Sequence, residues 1–386
     1  MDFNFSDQHI MLRDSIRNFA AKEIWPIAEE IDAEDRWPDG MWEKLTNIGV
    51  MGITVDEEYG GAGADLLSAV IVLEELSKAS PAIALSWGVH ANLCCNNLNH
   101  NANAVQKKKY LPPLCAGKHI GALGLTEPNA GSDAVNIQTV AVKKGDHYMV
   151  NGTKMFITNG SVANTIVLYT KTDKGKGARG ITAFILDTSF PGFSVSKKLK
   201  KYGHRGSPTA ELVLEDCLIP AENVLGEENQ GVHVLMSGLN VERAFYAGEA
   251  IGIAETCLEL SVKYAKERVQ FGKPIGAFQL IQAKLADMYT QIEAGKMLCY
   301  RVAILADQAR RGGKGTEIHK LSAASILFNA EMASRVADQA VQIHGGYGYM
   351  LEYPVQRFLR DAKLIEIGAG TSEIRRLIIA REILGI

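Results

Sequence analysis

Four stretches of the 386-residue chain combine polar groups with glycine in ways that a packed core does not need. In "GLTEPNAGSD" (124–133), Pro128, Asn129 and Gly131 make a rigid turn that exposes backbone N–H groups and the hydroxyls of Thr126 and Ser132. "MFITNG" (155–160) sets Phe156 two residues from Thr158, and strand alternation would put both on one face. A ring that stacks beside a hydroxyl that donates suits a flat heterocycle; an ordinary half-buried hairpin carries the same residues. "ERVQFGKPIGAFQ" (267–279) holds Arg268, Phe271 and Gln279 in a helix-breaking loop. "QIHGGYGYM" (342–350) is a glycine-rich turn able to lie against a phosphate or ribose.

Two further stretches raise a question of acid–base chemistry. "AKLIEIGAGTSEIRRL" (362–377) has two helix-compatible segments broken by Gly368-Ala369-Gly370. Each glycine costs a helix roughly 1 kcal/mol, so something has to approach this backbone closely. "MSGLNVERAFYAG" (236–248) places Glu242 beside Val241, Ala244 and Phe245. A carboxylate in apolar company is costly to ionise, and its pKa rises above the ~4.3 of free glutamate, which suits a general base near neutral pH. The plainer reading is a surface glutamate paired with Arg243 or Arg268.

The hydrophobic period indicates what holds these stretches. Residues 1–118 read as helical: Leu12, Ile16, Phe19 and Ala20 follow three-and-four spacing, and 66–77 and 105–111 behave alike. "DEEYGGAGAD" (56–65) is a loop without the lysine or preceding strand of a phosphate-binding loop. "CNNLNHNANA" (95–104) reads as a polar loop. "DHYMVNGTKMFITNG" (146–160) reads as a hairpin turning at Asn151-Gly152, and "TIVLYT", "GITAFIL" and "TAELVLEDCLI" are further short strands. Residues 119–235 thus form an antiparallel β domain, barrel or sandwich, and 236–386 return to four or five long helices. The class is α+β and multidomain: helices, strands, then helices, without the alternation of a doubly wound fold.

Bulk properties exclude several functions. The chain is 47% hydrophobic and 22% charged with net charge −3, which disfavours nucleic acid. Lys107–Lys109 and 198–201 are short enough to be solvated faces. The six cysteines (94, 95, 115, 217, 257, 299) have neither zinc nor Cys-x-x-Cys spacing and read as reduced thiols, with no metal site. No apolar run reaches ~18 residues and no signal peptide is visible, so stable membrane insertion is not expected. The expected compartment is the bacterial cytoplasm, or the mitochondrial matrix for a mature eukaryotic chain.

Together with "EEYGGAG", "NGTKMFITNG" and "RDAKLIEIGAGTSEIRR", these stretches resemble, in order from residue 3 to the end, the flavin-dependent acyl-CoA dehydrogenase family. The resemblance implies a helical N-terminal domain, a middle β domain and a C-terminal four-helix bundle, assembled as a homotetramer. It implies FAD, with Leu123, Leu125, Thr126, Gly131, Ser132, Phe156 and Thr158 around the flavin. Arg268, Phe271, Gln279, Gln342, Gly345 and Gly346 would hold the ADP half of FAD from a neighbouring subunit, and Thr371, Ser372 and Glu373 would close over it. Ser132, His233, Asn240, Arg243, Ala369 and Gly370 would contact the acyl-CoA substrate. In many relatives a tryptophan stands at Phe156; phenylalanine still packs on the flavin but donates no hydrogen bond.

Family chemistry removes the α proton of an acyl-CoA while a hydride leaves the β carbon for flavin N5. Most relatives carry the base where this chain has Ala369, which cannot take a proton. The isovaleryl-CoA dehydrogenase branch instead carries it on the helix of "GLNVER" and has "EIGAGTSE" with the same alanine. Both departures occur here, so the resemblance assigns the base to Glu242, and the Ala369 N–H to the thioester carbonyl. It implies a short branched acyl group and an electron-transfer flavoprotein as acceptor. A short linear or alicyclic acyl-CoA, an oxidase that passes electrons to oxygen, and a scaffold without catalysis are the alternatives.

Overall fold

The computed structural model describes residues 5–310 and 317–385, apart from the side chains of Asn240 and Arg310. Helix α1 (Asp7–Phe19) starts at Ser6, whose side chain accepts the His9 N–H. It is followed by α2 (Ala28–Glu34), α3 (Met41–Asn47), α4 (Leu66–Ala79) and α5 (Pro81–Gly88). Every residue of α4 except Lys78 is buried, as expected of a helix enclosed by neighbours on all sides. A π-helical stretch (Val89–Asn96) then leads into α6 (Asn97–Asn101) and α7 (Ala104–Cys115).

The asparagine-rich segment is therefore helix and largely buried, not a polar loop. Its amides satisfy one another and their surroundings. Asn96 Nδ2 donates to Asn92 Oδ1 at 3.1 Å, Asn101 Nδ2 to Asn97 Oδ1 at 2.9 Å, and Asn97 Nδ2 to the Tyr169 hydroxyl at 3.3 Å. Composition read it as loop because asparagine is a weak helix former, and partners distant in sequence reverse that preference.

The middle segment is one eight-stranded sheet: β1 (Gly121–Gly124), β2 (Val140–Lys144), β3 (His147–Thr158), β4 (Thr165–Lys171), β5 (Ile181–Asp187), β6 (Phe193–Lys198), β7 (Thr209–Pro220) and β8 (Val224–Leu225). The order is β6-β7-β3-β2-β4-β5-β8, with β1 added parallel to β4. Pairing is antiparallel except for β1/β4 and a single residue pair of β2/β4.

Asn151-Gly152 is not a turn. The chain reverses at Gly145-Asp146, and β3 runs unbroken through a register shift between Val150 and Gly152. Glycine is needed there for close approach: a Cβ on Gly152, at φ +154°, would lie 2.4 Å from Thr139 Oγ1 and 2.7 Å from its Cα. A Gly152→Ala variant should lose roughly 1–3 kcal/mol in denaturant unfolding. An unchanged midpoint would mean that the strands need not touch.

The C-terminal segment holds α8 (Gly231–Glu267), the small hairpin β9 (Val269–Gln270) and β10 (Lys273–Pro274), α9 (Gln279–Arg310), α10 (Ile318–His344), α11 (Val355–Ile365) and α12 (Ser372–Leu384). Helix α8 opens five residues before position 236. One core joins both helical segments, with Val70, Leu73 and Trp87 packed among Phe245, Ile251, Val336 and Phe358. A second core ties Leu125, Val167 and Tyr169 of the middle segment to Cys94, Leu98 and Leu114 and to Val234 and Leu235 on the first turns of α8. That second core positions the site, because it sets the turn after β1 against the start of the helix that carries Glu242. Among the described residues no helix is long and apolar enough to cross a membrane, and no cluster of three metal-ligating side chains forms.

Candidate active site

The turn after β1 and the end of β3 form one wall. Met155 N–H donates to Thr126 C=O at 2.8 Å, so Leu125 and Thr126 lie beside the Phe156–Thr158 segment. Simple alternation fails there: Phe156 adopts a left-handed φ of +62°, and the register shifts between Lys154 and Ile157. Lys154 and Ile157, three apart, are both buried, whereas Phe156 is 66% exposed and Thr158 partly so. An aromatic ring left that open in a strained backbone marks a binding surface more than a core. Gly131 and Ser132 are exposed just beyond, after the Glu127–Ala130 bridge, and Leu123 is half-buried in β1.

Lys154 and Glu127 hold this wall, and sequence reasoning missed both. The fully buried Lys154 ammonium donates to Leu125 C=O at 3.0 Å and to Glu127 Oε1 at 2.7 Å. Glu127 also accepts the N–H groups of Gln138 and Thr139, at 2.5 and 3.0 Å. Burial pulls Lys154 down to about 8 against the pull of Glu127. Burial likewise opposes ionisation of Glu127, but the Lys154 charge and these hydrogen bonds outweigh it and leave the carboxyl below its ordinary range. Both therefore remain charged at neutral pH. A lysine inside a strand pattern was the available signal.

A second feature is an open cleft of about 530 Å³ lined by Tyr264, Arg268, Gln270, Ile275, Ile343, His344, Gly345, Gly346, Tyr347 and Met350. It unites Arg268 with Gly345 and Gly346, as the sequence predicts. The Arg268 guanidinium lies 5.5 Å from the Tyr347 ring centroid, and no carboxylate pairs with it among the described residues. Gly345 has φ +60°, and no atom lies within 4 Å of an added Cβ at Gly345 or Gly346. Open backbone beside an unneutralised arginine fits a phosphate group, and so fits one end of FAD. Phe271 (93% exposed), Gln279 and Gln342 are exposed and do not line this cleft.

The third feature is Glu242 and what faces it. Glu242 is partly accessible to solvent yet surrounded by protein; its pKa is pushed up to about 7 by burial, against the lowering fields of Arg243 and Arg375. No hydrogen bond to its carboxylate forms among the described residues. Arg243, buried, donates through Nε to Ala369 C=O at 3.4 Å, which joins this helix to the Gly368–Gly370 turn. Tyr246, one helical turn on, stands against Gly368: an added Cβ there would be 3.6 Å from its ring. Tyr169 on β4 also lies within the electrostatic reach of Glu242.

The turn itself differs from the expectation in one respect. Strain falls on Ala369 (φ +55°) and Gly370 (φ +91°), so an alanine occupies a conformation that costs an L residue roughly 1–2 kcal/mol. Helix α11 ends at Ile365 and α12 begins at Ser372, capped by the Thr371 hydroxyl, which accepts the Ile374 N–H at 3.3 Å. No backbone carbonyl accepts from the Ala369 or Gly370 N–H among the described residues. Two donors are therefore free beside a carboxylate of raised pKa. The Ser372 hydroxyl is buried without a partner among the described residues, and Glu373 is exposed.

One expected substrate contact, His233, is not brought here. His233 is exposed on the first turn of α8, nine residues and thus about 13 Å along the helix from Glu242. The Asn240 side chain lies outside the described residues. Trp87 and Phe245, at this helix, are buried in the shared core, with the Trp87 indole donating to Val50 C=O at 3.1 Å.

A carboxylate must be ionised to accept a proton, so a reaction with Glu242 as its base would follow the ionised fraction of that group. Its rate would rise about tenfold per pH unit below pH 7 and level off above it. A limb near pH 4.5 would place the base in a solvated position instead.

The chain and its fold have known counterparts. The chain matches models of the acyl-CoA dehydrogenase N-terminal domain over residues 6–118, the middle domain over 122–217 and the C-terminal domain over 229–384. A mitochondrial isovaleryl-CoA dehydrogenase from Oryza sativa subsp. japonica is 49% identical over 381 residues, covering 98% of this chain and 92% of its own length. A mitochondrial 2-methylacyl-CoA dehydrogenase from Solanum tuberosum is 48% identical, covering 98% of this chain and 90% of its own. The solved structure of butyryl-CoA dehydrogenase from Megasphaera elsdenii superposes with a TM-score of 0.95 at 41% identity, over 100% of both chains. Similarity of this depth, continuous through all three domains in the same order, makes the chain a member of the acyl-CoA dehydrogenase family of FAD-dependent oxidoreductases.

Proposed function

We propose that the chain dehydrogenates a short branched acyl-CoA across its α and β carbons, with Glu242 as the base. The observation that carries this reading is the pairing of a carboxylate of raised pKa with a turn whose Ala369 and Gly370 N–H groups are unbonded among the described residues. Those donors hold the thioester carbonyl and stabilise the negative charge that grows on its oxygen as the α proton leaves; one such donor is typically worth ~3–4 kcal/mol. Glu242 takes that proton and is neutral afterwards, the state its apolar surroundings favour. Leu125, Thr126, Phe156 and Thr158 would hold the flavin and Arg268, Gly345 and Gly346 the phosphates of FAD, which supplies the two-electron acceptor. Ser132 and the Thr371–Glu373 cap would lie at its margins.

The branched substrate is supported by relatives named for isovaleryl-CoA and 2-methylacyl-CoA. Alanine at 369 leaves volume that a carboxylate on the turn would fill. A short linear or alicyclic acyl group is the second reading, favoured by the bulk of Tyr246 against Gly368. An electron-transfer flavoprotein is the proposed acceptor. A homotetramer is proposed because Phe271, Leu280, Tyr349 and Leu351, each over 70% exposed, are an apolar surface that another copy would cover. The division at 118/119 and 235/236 is likewise our own.

Anaerobic mixing with a panel of acyl-CoA thioesters tests function and substrate together. Isovaleryl-CoA should bleach the flavin fastest. Faster bleaching by butyryl-CoA would replace the branched reading with the linear one, and no bleaching by any thioester would remove the proposal.

A further inference from the structure

Arg375 has entered so far only through its field on Glu242, yet its position is expensive. Its side chain is wholly buried, and it sits in the first turn of α12, where the helix dipole opposes a cation. Nε and Nη1 have no hydrogen-bond partner among the described residues. Nη2 alone is engaged, donating to Ile365 C=O at 2.8 Å and to Gly368 C=O at 2.5 Å. A charge buried at that cost needs a return.

The return lies in peptide geometry. The Gly368 carbonyl and the Ala369 N–H belong to one planar trans peptide unit and point in opposite directions. Tying the carbonyl oxygen to Arg375 therefore aims the Ala369 N–H the other way, and the left-handed φ of Ala369 keeps it there. Arg243 treats the next unit alike: its Nε holds Ala369 C=O, which orients the Gly370 N–H. Two buried guanidiniums thus fix two successive peptide planes whose N–H groups are free.

We propose that Arg375 is a positioning residue that aims the Ala369 N–H at the substrate thioester carbonyl by anchoring the Gly368 carbonyl behind it. The inference rests on the Glu242 reading above, with Ala369 supplying an oxyanion donor. It reaches further in naming a residue that touches neither substrate nor cofactor.

The test is an infrared difference measurement on the FAD-loaded protein with isovaleryl-CoA labelled with carbon-13 at the thioester carbonyl, bound as a complex with Glu242→Gln. In that background the bound carbonyl stretch should lie at lower wavenumber than in solution. Adding Arg375→Gln should return it toward the free value, and Arg375→Lys, which keeps a donor to one carbonyl, should fall between. With Glu242 intact, Arg375→Gln should lower kcat by ~10²-fold or more, far beyond any change in KM. An unchanged stretch and kcat in Arg375→Gln, or a loss matched in both variants by lost FAD with the stretch unmoved in Arg375→Lys, would overturn the proposal. A wild type that neither bleaches nor, in the Glu242→Gln form, shifts the carbonyl would instead remove the reading beneath it.

Discussion

Replacing Glu242 by glutamine is expected to cut the rate of flavin reduction by about 10²- to 10⁴-fold while FAD and acyl-CoA remain bound. The amide is nearly isosteric and removes only the ability to take a proton. The residue makes no hydrogen bond among the described residues, and burial already favours its neutral form, so the substitution should not cost stability. Unfolding of the variant should move little, or slightly upward, because an ionisable group leaves an apolar wall. Stopped-flow reduction under anaerobic conditions measures the rate, and the flavin spectrum measures occupancy. Near-normal reduction would mean that another group takes the proton, and the assignment would fall.

The second large effect concerns stability. Lys154→Met removes the ammonium that joins Leu125 C=O to Glu127 and leaves a carboxylate buried with only two N–H donors. Breaking a buried pair from one side costs about 3–5 kcal/mol, since the remaining charge loses its partner and not its burial. Because the pair anchors the turn carrying Leu125 and Thr126, FAD affinity should fall as well. A double variant, Lys154→Met with Glu127→Gln, should recover much of the loss, since the orphaned charge is gone. Chemical unfolding of the four proteins measures the cycle. A single substitution that costs less than ~1 kcal/mol would show that the turn is held by something else.

Such contacts mark the boundary of what sequence reading reaches. Helical period located α1, α4 and α7, and β-branched runs bounded by turn residues located β4, β5 and β7, because those signals lie within ten to fifteen neighbouring residues. Asn151-Gly152 misled as a turn. The same dipeptide serves close approach in a continuous strand, and only Thr139 across the sheet distinguishes the two. The asparagine-rich segment misled for a related reason, as its helix is held by partners such as Thr54 and Tyr169.

The site divides in the same way. Which residues are chemically able to act was written in the chain: one glutamate among apolar neighbours, an alanine where a carboxylate is usual, and glycines where backbone must be open. Their order along the sequence gave the family pattern and the three-part layout, since both depend on residue identity and local period alone. How Glu242 is tuned was settled only in three dimensions. Burial raises Glu242 while Arg243 beside it and Arg375, 133 positions away, pull it back, and that balance depends on distance and solvent access. The strain on Ala369 and the anchoring of its flanking carbonyls likewise exist only once α8, α11 and α12 have packed together.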